Sequence, residues 1–216
     1  MKKVIIIMAK VPTAGAVKTR LYPFLSVEQS ATLAECFLRD TVSKAKFLPN
    51  ELIIAYTPVE KLDVLRAILS KEQIFIEQKG ANLGDKMFHA FEFAFSQNPD
   101  AVVMIGTDSP TFPAQFITQA FEMLSEADAV LGETADGGFY LIGLQKLKRE
   151  IFKLVEWSSP KTFEQTARNI ENLGLRLSLL PNWYDVDTPD DLKRLKKDLS
   201  KSSSIAPKTF KFLESL

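Results

Sequence analysis

Short apolar runs alternate with longer amphipathic stretches along most of this chain. Residues 4–8, Val-Ile-Ile-Ile-Met, form a β-branched run with no polar position inside it. Such a run is typical of a strand that is buried on both faces, as in a parallel sheet. The same criteria predict further strands at residues 52–56, 74–77, 101–105, 129–131, 139–144 and 176–180.

Between these runs, apolar residues recur at helical spacing. The longest such stretch covers residues 27–47, and Ser26 precedes it as the expected N-cap. Its predicted buried face carries Ala31, Ala34, Leu38, Thr41 and Val42. Further helices are predicted at residues 60–69, 83–95, 115–124, 161–173 and 189–199. Strands that alternate with helices predict an α/β protein with a mostly parallel central sheet.

Length and charge narrow the class of protein. The 216 residues fit one domain, which we place at residues 1–200, followed by a tail at residues 201–216. Basic and acidic residues balance at 27 each, which argues against a nucleic-acid or membrane-surface partner. The single cysteine, Cys36, excludes an intrachain disulfide. The first apolar run, which Lys10 ends, is short for a signal peptide, so we expect a cytoplasmic protein.

In a parallel sheet, ligands bind at the carboxyl ends of the strands, so the segments after the strands are the first candidates for a site. The loop at residues 9–21 carries Lys10, Lys18 and Arg20 after the first strand. Cations of these two types suit the phosphates of a nucleotide, and Gly15 would let the backbone approach them closely. The loop lacks the spacing of a P-loop. A solvated basic loop is the alternative.

Three aspartates follow later strands in a pattern that suggests a metal site. Asp108 ends the buried strand at residues 101–105, where it could hold a divalent cation or simply form a turn. Asp185 and Asp187 lie two apart on an extended segment, so they point the same way. Two bare carboxylates about 4 Å apart repel by roughly 4 kcal/mol at an effective dielectric near 20. If these acids converge, Mg²⁺ or Mn²⁺ is the simplest way to balance them.

The segment at residues 134–138 has two interpretations. Its Asp-Gly pair, at residues 136–137, is a common signal for a β-hairpin and by itself needs no functional explanation. A functional interpretation makes Asp136 a polar contact or a general base beside the acceptor. Trp157 and Trp183 could line an acceptor pocket or pack in the core equally well.

These segments, in this order, resemble the bacterial selenodomain-associated transferase type 1 family, within the GT-A nucleotide-diphospho-sugar transferase superfamily. The matching segments lie at residues 9–21, 106–110, 136–144, 157–159 and 185–189. They are also similar to the 2-phospho-lactate guanylyltransferases and, more distantly, to the molybdenum-cofactor guanylyltransferases. The resemblance extends to about residue 200 and implies a three-layer α/β/α fold. Lys86 departs from it, since the family usually has arginine there, which would supply a planar fork.

The resemblance implies a metal-dependent transferase that uses a nucleotide donor. The reaction would be nucleotidyl transfer from an NTP to a small acceptor with release of pyrophosphate, or glycosyl transfer from an NDP-sugar. A third hypothesis is that the protein is a nucleotide sensor without catalytic activity. A homodimer is one option, with Phe210 and Phe212 packing on a neighbour.

The expected roles of individual residues combine the same resemblance with the positions of these residues after the strands. The catalytic residues would be Lys18, Arg20, Asp108 and Asp136. The ligands of Mg²⁺ or Mn²⁺ would be Asp108, Asp185 and Asp187. The nucleotide would contact Ala9, Lys10, Pro12, Gly15, Lys18, Arg20, Gly84, Lys86 and Thr107. The acceptor would contact Asp136, Gly137, Gly138, Trp157 and Ser158.

Overall fold

A central sheet of seven strands organises the computed structural model, which describes residues 2–22, 24–48, 50–70 and 73–216. The strands are β1 Lys3–Lys10, β2 Glu51–Thr57, β3 Ile74–Glu77, β4 Ala101–Ile105, β5 Ala129–Glu133, β6 Phe139–Leu144 and β7 Leu177–Leu179. Their order across the sheet is β3-β2-β1-β4-β6-β5-β7. Every neighbouring pair is parallel except those of β6, which runs antiparallel to both β4 and β5.

Seven α-helices surround this sheet in the described residues. They are α1 Val27–Lys46, α2 Leu62–Ile68, α3 Leu83–Phe95, α4 Gln115–Met123, α5 Thr162–Asn172, α6 Pro189–Lys201 and α7 Pro207–Glu214. The predicted N-cap of the longest helix is confirmed, because Ser26 and Gln29 form a reciprocal capping box at the start of α1. No helix in the described part of the chain is long and apolar enough to span a bilayer.

Successive residues of β1 point into two different cores. Ile5 and Ile7 pack in one cluster with residues of α1, α2 and α4. Val4 and Ile6 pack in a second cluster with residues of α3 and α5. The sheet therefore has helices on both faces, which confirms the predicted three-layer α/β/α architecture. It also explains why β1 carries no polar position in its centre.

A third core cluster joins an early part of the chain, from the loop after β1 to α1, to the C-terminal helices. Its buried members are Leu21, Leu25, Leu33, Phe37, Tyr184, Val186, Leu192, Leu195, Leu199, Ala206 and Leu213. They come from the loop after β1, from α1, from the segment before α6, and from α6 to α7. The third core cluster thus holds the loop after β1 against residues 184–186.

The last helix, α7, docks on α1 through a buried carboxylate. Asp40 of α1 accepts hydrogen bonds from the backbone N–H groups of Lys208 (3.1 Å) and Thr209 (2.8 Å) and from Oγ1 of Thr209 (2.7 Å). A side chain from α1 therefore satisfies donors at the start of α7 that have no partner within that helix. Phe210 and Phe212 pack on the third core cluster of their own chain. From the sequence alone, they were candidates for a contact with a neighbouring molecule. The division of the chain at residue 200 stays a prediction.

Candidate active site

A crevice of about 810 Å³ opens at the carboxyl ends of β1 and β4. Its size is within the range of about 300–1,000 Å³ that is usual for small-molecule sites. Residues from every segment that the sequence singled out line it: the loop after β1, the loop after β4, the β5–β6 turn, residues 158–160 and residues 185 and 187. Strand order brings these distant segments to one edge of the sheet, as expected for a parallel α/β fold.

Lys18 lies at the centre of this crevice, with a side chain that is only 6% exposed. Its ammonium donates hydrogen bonds to a carboxylate oxygen of Asp108, to the backbone carbonyl of Val186 at 2.8 Å, and to Oδ1 of Asp187 at 3.1 Å. It also lies 5.3 Å from the centroid of the Phe37 ring. A lysine ammonium has three N–H donors, and each has an acceptor here. The structure thus brings Asp108 and Asp187 together, and the cation between them is Lys18.

The surroundings of Lys18 keep it charged. Burial by itself lowers the pKa of this amine, but the charges and hydrogen bonds of Asp108 and Asp187 outweigh burial and raise the pKa above its usual value. The backbone of Lys18 is left-handed, with φ 48° and ψ 37°, a conformation that costs a non-glycine residue roughly 1–2 kcal/mol. The three hydrogen bonds of the ammonium hold the residue in this strained conformation.

Asp185 lies beside this group without joining it. Its carboxylate accepts a hydrogen bond from the buried hydroxyl of Ser109. Burial, followed by the charge of Asp108, raises the pKa of Asp185 to about 7. In the described residues, no three His, Cys, Asp or Glu side chains form a group that could hold a metal ion. The set of three acidic ligands that the sequence suggested is therefore not assembled here.

Two of those three carboxylates still fit a divalent cation. The side chains of Asp108 and Asp187 are 52% and 39% exposed, so each also faces the crevice. Mg²⁺ is usually held by one or two carboxylates together with substrate phosphates. The donor chemistry of this pair therefore suits Mg²⁺ or Mn²⁺ if a polyphosphate supplies the remaining oxygens.

A second buried lysine, Lys44, holds the loop that follows Asp108. Lys44 of α1 donates hydrogen bonds to the backbone carbonyl of Pro110 and to that of Phe112 at 3.0 Å, and lies 4.9 Å from the Phe112 ring centroid. Burial lowers the pKa of Lys44 to about 8, against the opposing effect of Asp40. Lys44 is thus a positioning residue for the loop that carries Asp108.

The depressed pKa of Lys44 predicts a stability that rises with pH. The unfolded chain keeps this proton up to the usual pKa of 10.5, whereas the native protein releases it near 8. Between these values the unfolded state binds more protons, so the free energy of unfolding increases with pH. From pH 7 to pH 10.5, we expect the free energy of unfolding of the wild type to increase by on the order of 2–3 kcal/mol relative to that of Lys44→Met. Urea unfolding of both proteins measures this difference, and a constant difference across that window would contradict it.

The predicted nucleotide-binding residues divide into two groups. Lys10, Lys18, Arg20 and Thr107 line the crevice, and Lys10 and Arg20 are exposed to solvent there. The remainder do not line it: Ala9, Pro12, Gly15, Gly84 and Lys86. The two exposed cations are therefore the groups best placed to meet phosphate oxygens.

Gly84 and Trp157 pack against each other outside the crevice lining. A Cβ atom on Gly84 would lie 2.5 Å from the indole nitrogen of Trp157, so this position must be glycine for the ring to fit. Trp157 also makes an edge contact with Phe139, at 6.4 Å between ring centroids. Trp183, the other tryptophan, packs against Phe116. Packing explains each of these residues without a ligand.

Asp136 serves the β5–β6 turn and also faces the crevice. Its Oδ1 accepts hydrogen bonds from Oγ1 of Thr134 (2.6 Å) and from the backbone N–H of Gly138 (3.2 Å), which closes the predicted hairpin turn. Asp136, Gly138 and Ser158 line the crevice, whereas Gly137 does not. Both interpretations of this segment therefore have support, one from its hydrogen bonds and one from its position.

The polar crevice residue Gln78 was not predicted from the sequence. Gln78 follows β3 and donates from Nε2 to the backbone carbonyls of Ala9 (3.2 Å) and Ala55 (2.9 Å). Its position just after a strand is the same signal that identified Asp108, and would have found it. Ser159, from the matching segment at residues 157–159, also lines the crevice, although no role was predicted for it.

Comparisons with known proteins identify relatives across most of the chain. The 2-phospho-L-lactate guanylyltransferase of Methanocaldococcus jannaschii is 27% identical over 187 residues, which cover 86% of this chain and 80% of that protein. A Desulfovibrio desulfuricans G20 crystal structure, provisionally named a nucleotide-diphospho-sugar transferase, is 31% identical with a TM-score of 0.94. The match covers 100% of this chain and 95% of the other.

A more distant structure shares the fold alone. Rv0371C of Mycobacterium tuberculosis H37Rv, solved in complex with manganese, has a TM-score of 0.55 at 14% identity and covers 90% of this chain and 98% of its own. The closer relatives are transferases by name, and the present protein is an enzyme of the same class.

The family assignment rests on a match to more than half of the chain. The model of a family described as "Uncharacterized protein conserved in bacteria (DUF2064)" matches residues 41–159. This region includes β4, the Asp108 loop, the β5–β6 turn and Ser158, so it covers much of the crevice. The chain belongs to the DUF2064 family of bacterial proteins.

Proposed function

We propose that this protein is a metal-dependent nucleotidyltransferase, which transfers the nucleoside monophosphate of an NTP to a small acceptor and releases pyrophosphate. The observation that carries the proposal is the meeting of two acids with the cations of the first loop. Asp108 and Asp187 share the ammonium of Lys18, and Arg20 and Lys10 line the same crevice. The sequence relation to guanylyltransferases supports the same reaction.

In the proposed reaction, an oxygen of the acceptor attacks the α-phosphorus of the NTP. The bond from this phosphorus to the bridging oxygen breaks, and the electron pair leaves with pyrophosphate. Arg20 and Lys10 neutralise the charge of the leaving phosphates, while the proton of the acceptor passes to Asp136 or to water. Such catalysis depends mainly on positioning and charge stabilisation. Asp108 and Asp187 would hold Mg²⁺ or Mn²⁺, which when bound supplies further positive charge to the phosphates.

The charges around the crevice favour an acceptor that carries a hydroxyl group and no phosphate of its own. Among the described residues, the basic side chains that line the crevice belong to the first loop: Lys10, Lys18 and Arg20. The wall formed by the later segments carries Asp136, Ser158, Ser159 and Asp185. A phosphate placed against this wall would meet carboxylates and hydroxyls without a balancing cation. In this respect the proposal departs from the relative named for 2-phospho-L-lactate.

Glycosyl transfer from an NDP-sugar is the second candidate. It is favoured by the likeness to the Desulfovibrio desulfuricans protein, whose name refers to a nucleotide-diphospho-sugar. The same acids and cations would then hold the leaving diphosphate. The two candidates share the site and differ in the donor and in the bond that breaks.

The donor distinguishes the two reactions experimentally. The purified protein is tested with each NTP and with a panel of NDP-sugars, in Mg²⁺ or Mn²⁺, first for thermal stabilisation and then for the leaving group. We expect stabilisation by one NTP, and pyrophosphate release when a mixture of sugars and polyols is added. Stabilisation by an NDP-sugar with release of free NDP would favour glycosyl transfer. Stabilisation without turnover of either donor would favour a nucleotide sensor, and the absence of any shift would contradict all three.

We also propose a cytoplasmic location, in keeping with an expected NTP or NDP-sugar substrate. A homodimer stays a prediction, and analytical ultracentrifugation of the purified chain tests it.

A further inference from the structure

Lys18 has two roles assigned to it that use the same three protons. As a predicted nucleotide-binding residue it should donate to phosphate oxygens. In the structure all three N–H groups are taken by Asp108, Asp187 and the carbonyl of Val186, and the side chain is 6% exposed. One ammonium cannot satisfy both sets of acceptors at once. Lys18 must therefore exchange partners if it is to reach a phosphate.

The ammonium takes up the same two carboxylates that a metal ion would need. The ammonium contacts Oδ1 of Asp108 and Oδ1 of Asp187, which belong to the two carboxylates that would hold Mg²⁺ or Mn²⁺ in the proposed enzyme. We infer that Lys18 is the resident cation of this acid pair, and that it gives up the pair to a divalent cation only when a polyphosphate is present to accept the ammonium. The inference deepens the proposed function and rests on it for the identity of the polyphosphate.

Charge balance explains why the exchange would need Lys18, the divalent cation and the polyphosphate together. The two acids and Lys18 together carry one net negative charge, and a divalent cation added to them would leave one net positive charge in a partly buried group. If Lys18 withdrew with no anion to meet it, its buried ammonium would lose three acceptors and remain unpaired. A polyphosphate removes both difficulties, because its oxygens accept the ammonium and complete the coordination of the metal.

The backbone around Lys18 is suited to such a movement. Lys18 is held in a left-handed conformation, so releasing its side chain lets the loop relax to an ordinary one. Gly15, three residues earlier, has φ +82° and no atom within 4 Å of a Cβ built on it. The loop therefore has open space and a flexible residue beside the point where the ammonium would change partners.

Removing the resident cation tests the inference without any turnover. Mn²⁺ binding is measured by electron paramagnetic resonance of the free ion, with no nucleotide present, for wild type, Lys18→Met and Lys161→Met. Lys161 forms an exposed ion pair with Glu156 and does not line the crevice, so it controls for the loss of one positive charge. We expect Lys18→Met to bind Mn²⁺ at least tenfold more tightly than the other two proteins. Adding Asp108→Asn to Lys18→Met should remove this gain.

Equal Mn²⁺ affinity in wild type and Lys18→Met would overturn the inference, whatever the enzyme's donor proves to be. If Lys18→Met fails to fold, the wild type provides the decisive measurement. Mn²⁺ alone should leave its melting temperature unchanged, whereas Mn²⁺ with inorganic tripolyphosphate should raise it by several degrees more than tripolyphosphate with K⁺. Saturable stabilisation by Mn²⁺ alone, of the same size, would show that Lys18 does not withhold the acid pair. Failure of the proposed function would instead be seen as a lack of pyrophosphate release.

Discussion

Asp108→Asn is expected to lower the rate of pyrophosphate release by on the order of 10²–10³-fold, as is usual when a charged group that stabilises a transition state is removed. Asparagine keeps the shape of the side chain and loses its charge. Lys18 then keeps Asp187 and the carbonyl of Val186 as acceptors, so the loop should stay folded. The defect should therefore lie in catalysis, which pyrophosphate release with the preferred NTP and saturating Mg²⁺ measures directly.

The control for this variant is Asp63→Asn, which makes the same chemical change on the surface. The side chain of Asp63 is 99% exposed, forms an ion pair with Arg66 at 3.8 Å and does not line the crevice. It should retain wild-type activity and stability, since exposed ion pairs contribute about 1 kcal/mol at most. If Asp108→Asn keeps more than a third of the wild-type rate while its melting temperature is unchanged, the crevice is not where the reaction takes place.

Gly137→Ala is expected to destabilise the protein by several kcal/mol more than Gly15→Ala. Both glycines have nearly the same left-handed backbone, with φ +86° and +82°, so both alanine variants bear a similar conformational cost of roughly 1–2 kcal/mol. A Cβ on Gly137 would lie 2.1 Å from the carbonyl oxygen of Pro160, whereas a Cβ on Gly15 meets nothing within 4 Å. The difference between the two variants therefore isolates the steric clash from the backbone strain.

The clash at Gly137 should also reach the acceptor side of the crevice. The carbonyl of Gly137 accepts a hydrogen bond from the backbone N–H of Phe163 at 2.8 Å, which ties the β5–β6 turn to the start of α5. Relief of the clash has to move Pro160 and the neighbouring Ser158 and Ser159. Urea unfolding gives the two free energies, and equal values for both alanine variants would show that the turn can move away from Pro160 at little cost.

The sheet could be predicted from sequence because its strands are buried on both faces. The predicted bounds of β3, β4, β6 and α3 agree with the structure. The buried face of α1 was predicted only in part: Leu38 and Val42 pack on the sheet, whereas Leu33 and Phe37 are buried in the third core cluster. A single amphipathic face cannot describe a helix that is buried on two sides, so the periodicity of α1 missed its second contact.

The location of the site could be predicted from the sequence, but the contacts between its residues could be predicted less well. The rule that ligands bind after parallel strands brought Lys18, Asp108 and Asp187 to the same crevice. It could not show that Lys18 bonds to the two acids, because that pairing depends on how the loop after β1 folds back. Nor could it show that Gly84 accommodates Trp157, since the two lie on different elements and meet only in the folded chain.

The distance along the chain between Lys18 and its partners has a consequence for how the enzyme is made. Lys18 and Asp187 are separated by 169 residues, which a ribosome needs on the order of ten seconds to add. During that interval β1 can pair with β2 and β4, but the strained loop after β1 has no acid from residue 187 and no carbonyl from residue 186 to hold it. The acid–lysine group therefore closes only near the end of synthesis. A nascent chain that stops before residue 184 would contain most of the sheet and would lack a functional crevice.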